Sequence, residues 1–181
     1  DPTNLSTWYA GTGEFIANSA GGGARNYYGH GVFKSTDNGE TWNQLPSTIS
    51  GTSLTRWDNF FDYIYNIAVD PQTGTVFVAA WSGILRSTDS GDSWELVAGE
   101  TSFPFVDYTD VAIGADGALY YALSRNGREI TNFGIFKTTD GGVSSTNITP
   151  PTLSSDPYRI TIGASPSDAN TVYALAMMNF K

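Results

Sequence analysis

The sequence predicts an all-β fold, a β-propeller of four-stranded antiparallel blades, of which the chain holds about three and a half. Short runs rich in Val, Ile, Tyr, Phe, Trp and Thr lie between Gly, Pro, Asn and Asp, which is typical of strands. A turn motif recurs about every 52 residues. No window shows a capped 3.6-residue apolar period, so no helix is predicted. A repeat of about 50 residues with four strands is typical of a propeller blade.

The composition excludes several classes of protein. The chain has 181 residues, with 18 acidic and nine basic side chains, and its formal net charge is −9. Such acidity argues against a protein that binds nucleic acid or an anionic membrane surface, because both kinds of binding need clustered Lys and Arg. The chain has no cysteine, which excludes disulfides, thiolate zinc sites and a thiol nucleophile. No apolar run approaches the ~20 residues of a membrane-spanning helix. We expect no cofactor and no metal.

The recurring turn reads Ser/Thr-x-Asp-x-Gly-x-x-Trp, and we name its three copies box 1 (35–42), box 2 (87–94) and box 3 (138–145). Their aspartates lie 52 and 51 residues apart (37 to 89 to 140). The Asp carboxylate is expected to accept backbone N–H bonds of its own turn, the Ser or Thr to hold that carboxylate, and the Gly to take a positive φ. The aromatic residue should pack beneath the turn. The predicted structural residues are Ser35, Asp37, Gly39, Trp42, Ser87, Asp89, Gly91, Trp94, Thr138, Asp140 and Gly142.

Box 3 departs from the motif. Position 145 is Ser where the first two boxes have Trp42 and Trp94. We expect box 3 to keep its turn and to lack the aromatic wedge.

A second repeated element places the strands of each blade, which we call A to D. An apolar run, a turn and a second apolar run occupy residues 67–80, 111–123 and 160–175, and residues 1–10 align with the second half of this element. The predicted blades are therefore 1–50 (strands B–D), 63–98, 108–149 and 158–181 (strands A–B).

Three and a half blades do not close a ring, since closure needs the last blade to meet the first. We expect residues 1–181 to belong to a ring of seven or more blades. The missing blades would come from a longer polypeptide or from another protein chain. The exposed flanks should be lined by Trp8, Val172, Tyr173 and Leu175.

The boxes and the units 7–14 and 67–71 resemble the Asp-box, or BNR, repeat of sialidase-like and sortilin-like propellers. The resemblance covers essentially the whole chain and is to the propellers of large secreted bacterial proteins, many from the Bacteroidetes with a type IX secretion sorting domain. It implies a secreted or cell-surface location. It also implies that the boxes are structural and lie away from any catalytic face.

Enzyme members of that family offer specific motifs to test. Sialidases use an arginine triad, a Tyr-Glu pair and a Phe/Tyr-Arg-Ile-Pro motif, and the nearest match here, Tyr158-Arg-Ile-Thr161, lacks the Pro. Xyloglucanase-like propellers of glycoside hydrolase family 74 use two aspartates on different blades. Asp58, Asp62, Asp107 and Asp110 fall in predicted loops of suitable type. Enzyme activity is therefore left open, glycoside hydrolysis being the one considered, and no catalytic residue is assigned.

The predicted binding surface is the propeller face that carries the B–C and D–A connections, which we call the loop face; the A–B and C–D turns lie on the opposite, box face. The long connections 13–30, 45–62, 99–107 and 124–133 are rich in aromatic residues, which suit sugar or peptide binding. Phe60 and Phe61 are expected to pack onto the blade below. His30 is expected to be a turn residue, and a base is the alternative role. The candidate binding residues are Glu14, Tyr27, Tyr28, His30, Arg56, Trp57, Asp58, Phe105 and Arg128.

The first functional hypothesis is a non-catalytic propeller segment of a secreted or cell-surface bacterial protein. It would bind carbohydrate or protein, in adhesion or as a scaffold. The alternatives are a glycoside hydrolase propeller, sialidase-like or xyloglucanase-like, and an assembly-factor scaffold that fits one partner chain.

Overall fold

A computed structural model describes residues 1–17, 25–49, 59–99, 108–124, 132–153 and 157–178. Within these ranges all regular structure is β-strand except three 3-10 turns of three residues each. In chain order the elements are β1 (Trp8–Gly11), β2 (Glu14–Ala17), β3 (Arg25–Tyr27), β4 (Val32–Ser35), β5 (Asn43–Gln44), η1 (Pro46–Thr48), η2 (Phe60–Asp62), β6 (Ile64–Val69), β7 (Val76–Ala80), β8 (Gly83–Ser87), β9 (Glu95–Gly99), β10 (Tyr108–Ile113), β11 (Leu119–Ser124), β12 (Gly134–Thr138), β13 (Thr146–Asn147), η3 (Pro151–Leu153), β14 (Pro157–Ala164) and β15 (Val172–Met178).

The strands form successive antiparallel sheets, which confirms the predicted all-β fold of antiparallel blades. Blade 1 has the order β1-β4-β5, blade 2 β6-β7-β8-β9, blade 3 β10-β11-β12-β13, and blade 4 β14-β15. The three boxes join strands C and D at equivalent places, between β4 and β5, β8 and β9, and β12 and β13. One element was not predicted: a β2–β3 hairpin lies within the connection 13–30, which the sequence left as a loop.

Adjacent blades are joined by apolar clusters that mix residues of both. The cluster between blades 1 and 2 includes Val32 and Ile64, and the cluster between blades 2 and 3 includes Phe77 and Val111. Gly11 shows how close the first pair lies, since a Cβ on it would be 2.3 Å from Cγ2 of Ile64. Only a residue without a side chain allows β1 this approach to β6.

The innermost strands β6, β10 and β14 are linked by one buried carboxylate. Asp110, 5% exposed, accepts hydrogen bonds at Oδ1 from Asn66 Nδ2 (2.8 Å) and Val111 N (2.9 Å). Its Oδ2 accepts one from the backbone N–H of Ile162, also at 2.9 Å. The placement of Asp110 in a loop was therefore wrong: it lies in β10 and ties together blades 2, 3 and 4. Asp62, also expected in a loop, lies in η2.

The two outer flanks differ from the prediction at one residue. Trp8 is 50% exposed, Tyr173 68% and Leu175 77%, as expected for flank positions. Val172 is instead half-buried and packs on the cluster between blades 3 and 4. Side chains alternate along a strand, so neighbours in sequence point to opposite faces of the sheet.

No helix in the described part of the chain has the length and apolar character needed to cross a membrane.

Candidate functional site

Tyrosines from three successive blades form a row on the loop face, where the innermost strands begin. The rings of Tyr65 and Tyr108 are 5.7 Å apart, and those of Tyr108 and Tyr158 are 5.6 Å apart, all measured between centroids. Tyr108 is buried, while Tyr65 and Tyr158 are half-buried. We call Tyr65, Tyr108 and Tyr158 the tyrosine row.

Two members of the tyrosine row lie at register shifts in the pairing of their strands. The register of β6 against β7 shifts between Ile64 and Asn66, and that of β14 against β15 shifts between Pro157 and Arg159. Tyr65 and Tyr158 are the residues inside these shifts. A bulge re-aims the side chain it carries and is common next to binding sites.

Arg159 adds a positive charge to the row. Its guanidinium carbon lies 5.3 Å from the ring centroid of Tyr108 and 5.9 Å from that of Tyr65, which is within the range of cation–π attraction. The side chain is exposed, and none of the described carboxylates forms an ion pair with it. The loop face therefore presents a guanidinium held against two aromatic faces.

A second aromatic group lies on the same face. Tyr28, in the connection between β3 and β4, is 5.4 Å from Tyr63, and Tyr63 is 6.3 Å from Trp81 between ring centroids. Tyr63 and Trp81 are buried and Tyr28 is half-buried. The connection is held there by a hydrogen bond of 2.8 Å from Gly29 N to the carbonyl of Asp62.

The candidate binding residues are only partly brought together. Tyr27 is 52% exposed, Tyr28 joins the second aromatic group, and His30 has an exposed side chain. The backbone of His30 is held on both sides, by Thr12 Oγ1 at 2.7 Å and by Gln44 Nε2 at 2.6 Å, as in a turn residue. Of Glu14 the structure describes only the backbone, in β2. The remaining candidates lie outside the described residues: Arg56, Trp57, Asp58, Phe105 and Arg128.

The described carboxylates that were candidates for chemistry are engaged in structure. Asp62 and Asn59 form a reciprocal cap of η2, in which Asp62 Oδ2 accepts from Asn59 N and Asn59 Oδ1 accepts from Phe61 N. Asp110 accepts its three hydrogen bonds from N–H groups of three blades. Phe61 is 5% exposed, and Phe60 and Phe61 pack in the cluster between blades 1 and 2, as expected.

The box turns share one hydrogen-bond pattern on the opposite face. In box 2, Ser87 Oγ donates to Asp89 Oδ1 at 2.7 Å, and Ser93 N donates to the same oxygen at 2.9 Å. Box 1 has the same bonds through Asp37, and box 3 keeps its turn through Asp140. The Gly residues have φ of 87°, 100° and 97°, and the residue before each is also at positive φ. That second left-handed residue was not anticipated.

These hydrogen bonds stabilise the charged form of the box aspartates. The pKa of Asp37 is lowered to about 2, chiefly by the hydroxyl of Ser35 and then by Thr41. The pKa of Asp89 is lowered to about 2, chiefly by the Ser93 hydroxyl. The Ser144 hydroxyl likewise lowers the pKa of Asp140. The box aspartates are therefore hydrogen-bond acceptors at neutral pH.

The two box tryptophans pack differently. Trp42 stays beneath its own turn, where its Nε1 donates to Gly39 O at 3.0 Å. Trp94 reaches the preceding blade, where its Nε1 donates to Ser47 Oγ at 3.1 Å and its ring meets Phe61 edge-on at 5.3 Å. The sequence did not predict this contact of Trp94 with the connection between blades 1 and 2.

A cavity of about 340 Å³ opens on the box face between blades 2 and 3. Its charged lining groups bond to neighbouring residues, some of them outside the cavity, as Arg86 does with Glu95 and Asp116 with Lys137. Asp70 accepts from Gln72 N and Thr73 Oγ1, and Arg86 donates to Gly141 O. These hydrogen bonds stabilise the turns that form the walls of the cavity.

Sequence reasoning missed the tyrosine row. It sought binding residues in long connections, whereas Tyr65, Tyr108, Tyr158 and Arg159 lie at the starts of strands. The available signal was a tyrosine at or near the start of strand A in three blades, within three residues of Asp or Pro.

Comparison with known proteins bears on the fold. The structure is similar to a GH74 enzyme of Niastella koreensis, with a TM-score of 0.60 and 24% identity, over 95% of this chain and 23% of that one. An ancestral GH74 enzyme matches with a TM-score of 0.58 and 19% identity, over 82% of this chain and 19% of its own. The GH74 xyloglucanase from Xanthomonas campestris matches with a TM-score of 0.55 and 18% identity, over 94% of this chain and 21% of its own.

The chain thus spans about a fifth of the length of these solved structures. No family model and no curated protein sequence matches it. At these identities the likeness establishes a shared propeller fold, and the site has to be argued from its own residues.

Proposed function

We propose that this chain is a non-catalytic propeller segment that binds carbohydrate on its loop face. The tyrosine row, with the exposed guanidinium of Arg159 across it, is the observation that carries the proposal. Aromatic faces pack against the apolar faces of sugar rings, and a guanidinium donates up to five hydrogen bonds to hydroxyl or carboxylate oxygens. The half-buried state of Tyr65 and Tyr158 fixes their rings and lowers the entropy lost on binding.

The box turns support the wider family context of this proposal. Their spacing and shared hydrogen bonds agree with Asp-box repeats, which are structural and lie on the face away from the row. Proteins with such repeats are typically exported. We therefore place the intact protein outside the bacterial cell or on its surface, where polysaccharides are accessible.

Binding can be tested by affinity electrophoresis and calorimetry against neutral and acidic polysaccharides, xyloglucan included. Tyr158→Ala and Arg159→Ala should each weaken binding about tenfold or more, as hot-spot residues do. Tyr173→Ser is the matched control, because Tyr173 is an exposed tyrosine of the same blade on its flank. Equal loss in all three variants, or binding unaffected by the first two, would contradict the proposal.

Glycoside hydrolysis is the second candidate, since the solved structures that resemble the chain include GH74 enzymes. A hydrolase needs two carboxyl groups about 5–9.5 Å apart with access to the sugar. Asp62 and Asp110 are engaged in capping and in blade contacts, so this candidate depends on Asp58 and Asp107. Release of reducing sugar that is lost in Asp58→Asn or Asp107→Asn would favour hydrolysis over binding alone.

A further inference from the structure

Each of boxes 2 and 3 is held by a basic residue of the preceding blade. Lys34 Nζ donates to the carbonyl of Ser90 at 3.1 Å, and Arg86 Nη1 donates to the carbonyl of Gly141 at 2.7 Å. Ser90 and Gly141 occupy the same place, directly after the box aspartate. Lys34 and Arg86 also occupy the same place, directly before the first residue of their own boxes. The contact is therefore made twice, between successive blades.

The box glycine makes a second contact with the preceding blade. A Cβ on Gly91 would lie 2.4 Å from Leu45 Cδ1, and one on Gly142 would lie 2.4 Å from Val97 Cγ1. Leu45 and Val97 are equivalent, each three residues after the last position of its box. In box 1 a Cβ on Gly39 would have no atom nearer than 3.7 Å. A basic residue and an aliphatic residue thus form a two-point seat for the next box.

Blade 3 carries both parts of such a seat. Lys137 is the equivalent of Lys34, and its Nζ lies 5.2 Å from the ring centroid of Tyr120, just as that of Lys34 lies 5.6 Å from Tyr9. Ile148 is the equivalent of Leu45, yet it is 40% exposed where Leu45 is 8% exposed. Within the described ranges no box turn lies on this seat, and Lys137 meets Asp116 at 3.7 Å.

The strand beside this seat, β15, has an outer edge at which the complete blades carry their third and fourth strands. Within the described residues β15 pairs with β14 alone. Tyr173 and Leu175 are 68% and 77% exposed. Their equivalents in the complete blades are covered by the next blade: Phe77 and Tyr120 are 2% and 4% exposed, and Ala79 and Ala122 are fully buried. This face is therefore where a further blade would pack, whereas the outer edge of β15 is where strands of its own blade would pair.

We infer that Lys137 and Ile148 form a docking seat for a further box turn, carried by a two-stranded hairpin that pairs with the outer edge of β15. The occupant must present a backbone carbonyl to the ammonium group of Lys137. It must also place a glycine over Ile148, because a side chain there would collide as it would at Gly91 and Gly142. These requirements describe a Ser/Thr-x-Asp-x-Gly turn.

The chain can supply its own test hairpin. Residues 81–99 hold β8, box 2 and β9, and they follow Ala80, the equivalent of Ala176. We would join a second copy of 81–99 directly after Ala176, in place of 177–181, and measure the folding equilibrium by chemical denaturation. In this extended chain Lys137→Met should lower the folding equilibrium constant about fivefold, as expected for one lost hydrogen bond from a charged group at a partly exposed site. In the 181-residue chain, Lys137→Met should change the folding equilibrium constant less than twofold.

Two control variants test whether the effect arises at the seat itself. Gly91→Val in the added copy alone should remove the effect of Lys137→Met, whereas Glu95→Gln in the added copy should leave it. An equal effect of Lys137→Met in the extended and 181-residue chains would overturn the proposal. Sedimentation of the 181-residue chain tests a second copy as the occupant. A dimer that Leu175→Asp dissociates and Lys137→Met leaves intact would also overturn it.

Discussion

At the scale of single residues, the box aspartates link the stability of the fold to pH. The folded-state pKa values of Asp37 and Asp89 are about 2, against an ordinary value of 3.8. A pKa that is lower in the folded state than in the unfolded state means that the fold stabilises the charged form of the carboxyl group. Its contribution is therefore complete above the ordinary pKa and is lost as the pH falls from about 4 to about 2.

Replacement of one box carboxylate by an amide, Asp89→Asn, should make this dependence visible. We expect the native chain to lose stability relative to this variant between pH 4 and pH 2, because only the native chain has the carboxylate to protonate in box 2. Thermal unfolding followed by circular dichroism at pH 2 to 6 measures the difference. A difference in midpoint that stays constant over this range would contradict the assignment.

A second residue-scale prediction separates backbone conformation from contact between blades. Gly39 and Gly91 both have positive φ, 87° and 100°, so Ala at either should cost about 1–2 kcal/mol. Only Gly91 lies against the preceding blade, 2.4 Å from Leu45 Cδ1 when a Cβ is added. We expect Gly91→Ala to be more destabilising than Gly39→Ala by about 1–3 kcal/mol in urea denaturation. Equal losses would mean that Leu45 moves aside without cost.

At the scale of elements, the tryptophan after a box stabilises the chain according to the blade it reaches. Trp94 contacts Phe61 and Ser47 of the preceding connection, whereas Trp42 is 39% exposed beneath its own turn. Trp94→Ala should therefore cost about 2–3 kcal/mol, and Trp42→Ala about 1 kcal/mol. Denaturant titration of both variants provides the measurement, and the reverse order would refute the packing described for Trp94.

The innermost strands of blades 2, 3 and 4 are linked by the carboxylate of Asp110. Removal of the Asp110 carboxylate leaves the buried backbone N–H of Ile162 without this acceptor, while Asn66 Nδ2 keeps the carbonyl of Val111 at 3.1 Å. Asp110→Ala should cost about 3–5 kcal/mol in denaturant titration. Asp116→Ala, at an exposed aspartate in the turn after the same strand, is the control and should cost under about 1 kcal/mol. A loss for Asp110→Ala no larger than for the control would show that the link between blades is dispensable.

At the scale of the whole chain, stability should fall from the middle blades toward the flank of blade 4. Every residue of β7 is buried, and β7 has hydrogen-bonded strands on both sides. β15 has one partner strand in the described structure and exposes Tyr173 and Leu175. Local opening is easiest where few apolar contacts and few protected hydrogen bonds hold a strand.

Hydrogen exchange tests this gradient directly. Peptides that cover β7 and β11 should exchange slowest, and those that cover β15 should exchange at least about tenfold faster. Addition of the second copy of residues 81–99 should slow exchange in β15 while β7 changes little. Uniform protection across β7, β11 and β15 would show a single cooperative unit and contradict the gradient.

The sequence was sufficient for the order of strands in the blades and for the box turns, but it did not predict the local β2–β3 hairpin. A period of about 52 residues, alternating apolar runs and the box turns determine where strands begin, how they pair with neighbours and that they form blades, because each blade is a local antiparallel unit. The equivalence of Asp37, Asp89 and Asp140 followed from spacing alone.

The tertiary structure decided what depends on contacts between blades. Asp110 looked like a loop carboxylate, and only the approach of β6 and β14 made it a buried link between blades. The sequence predicted Trp94 as a residue that packs under its own turn, and its contacts with Ser47 and Phe61 depend on how blades 1 and 2 pack. The tyrosine row joins residues more than 40 positions apart, brought together by the stacking of successive blades. No local pattern encodes such a distance, since it is set by how the blades pack.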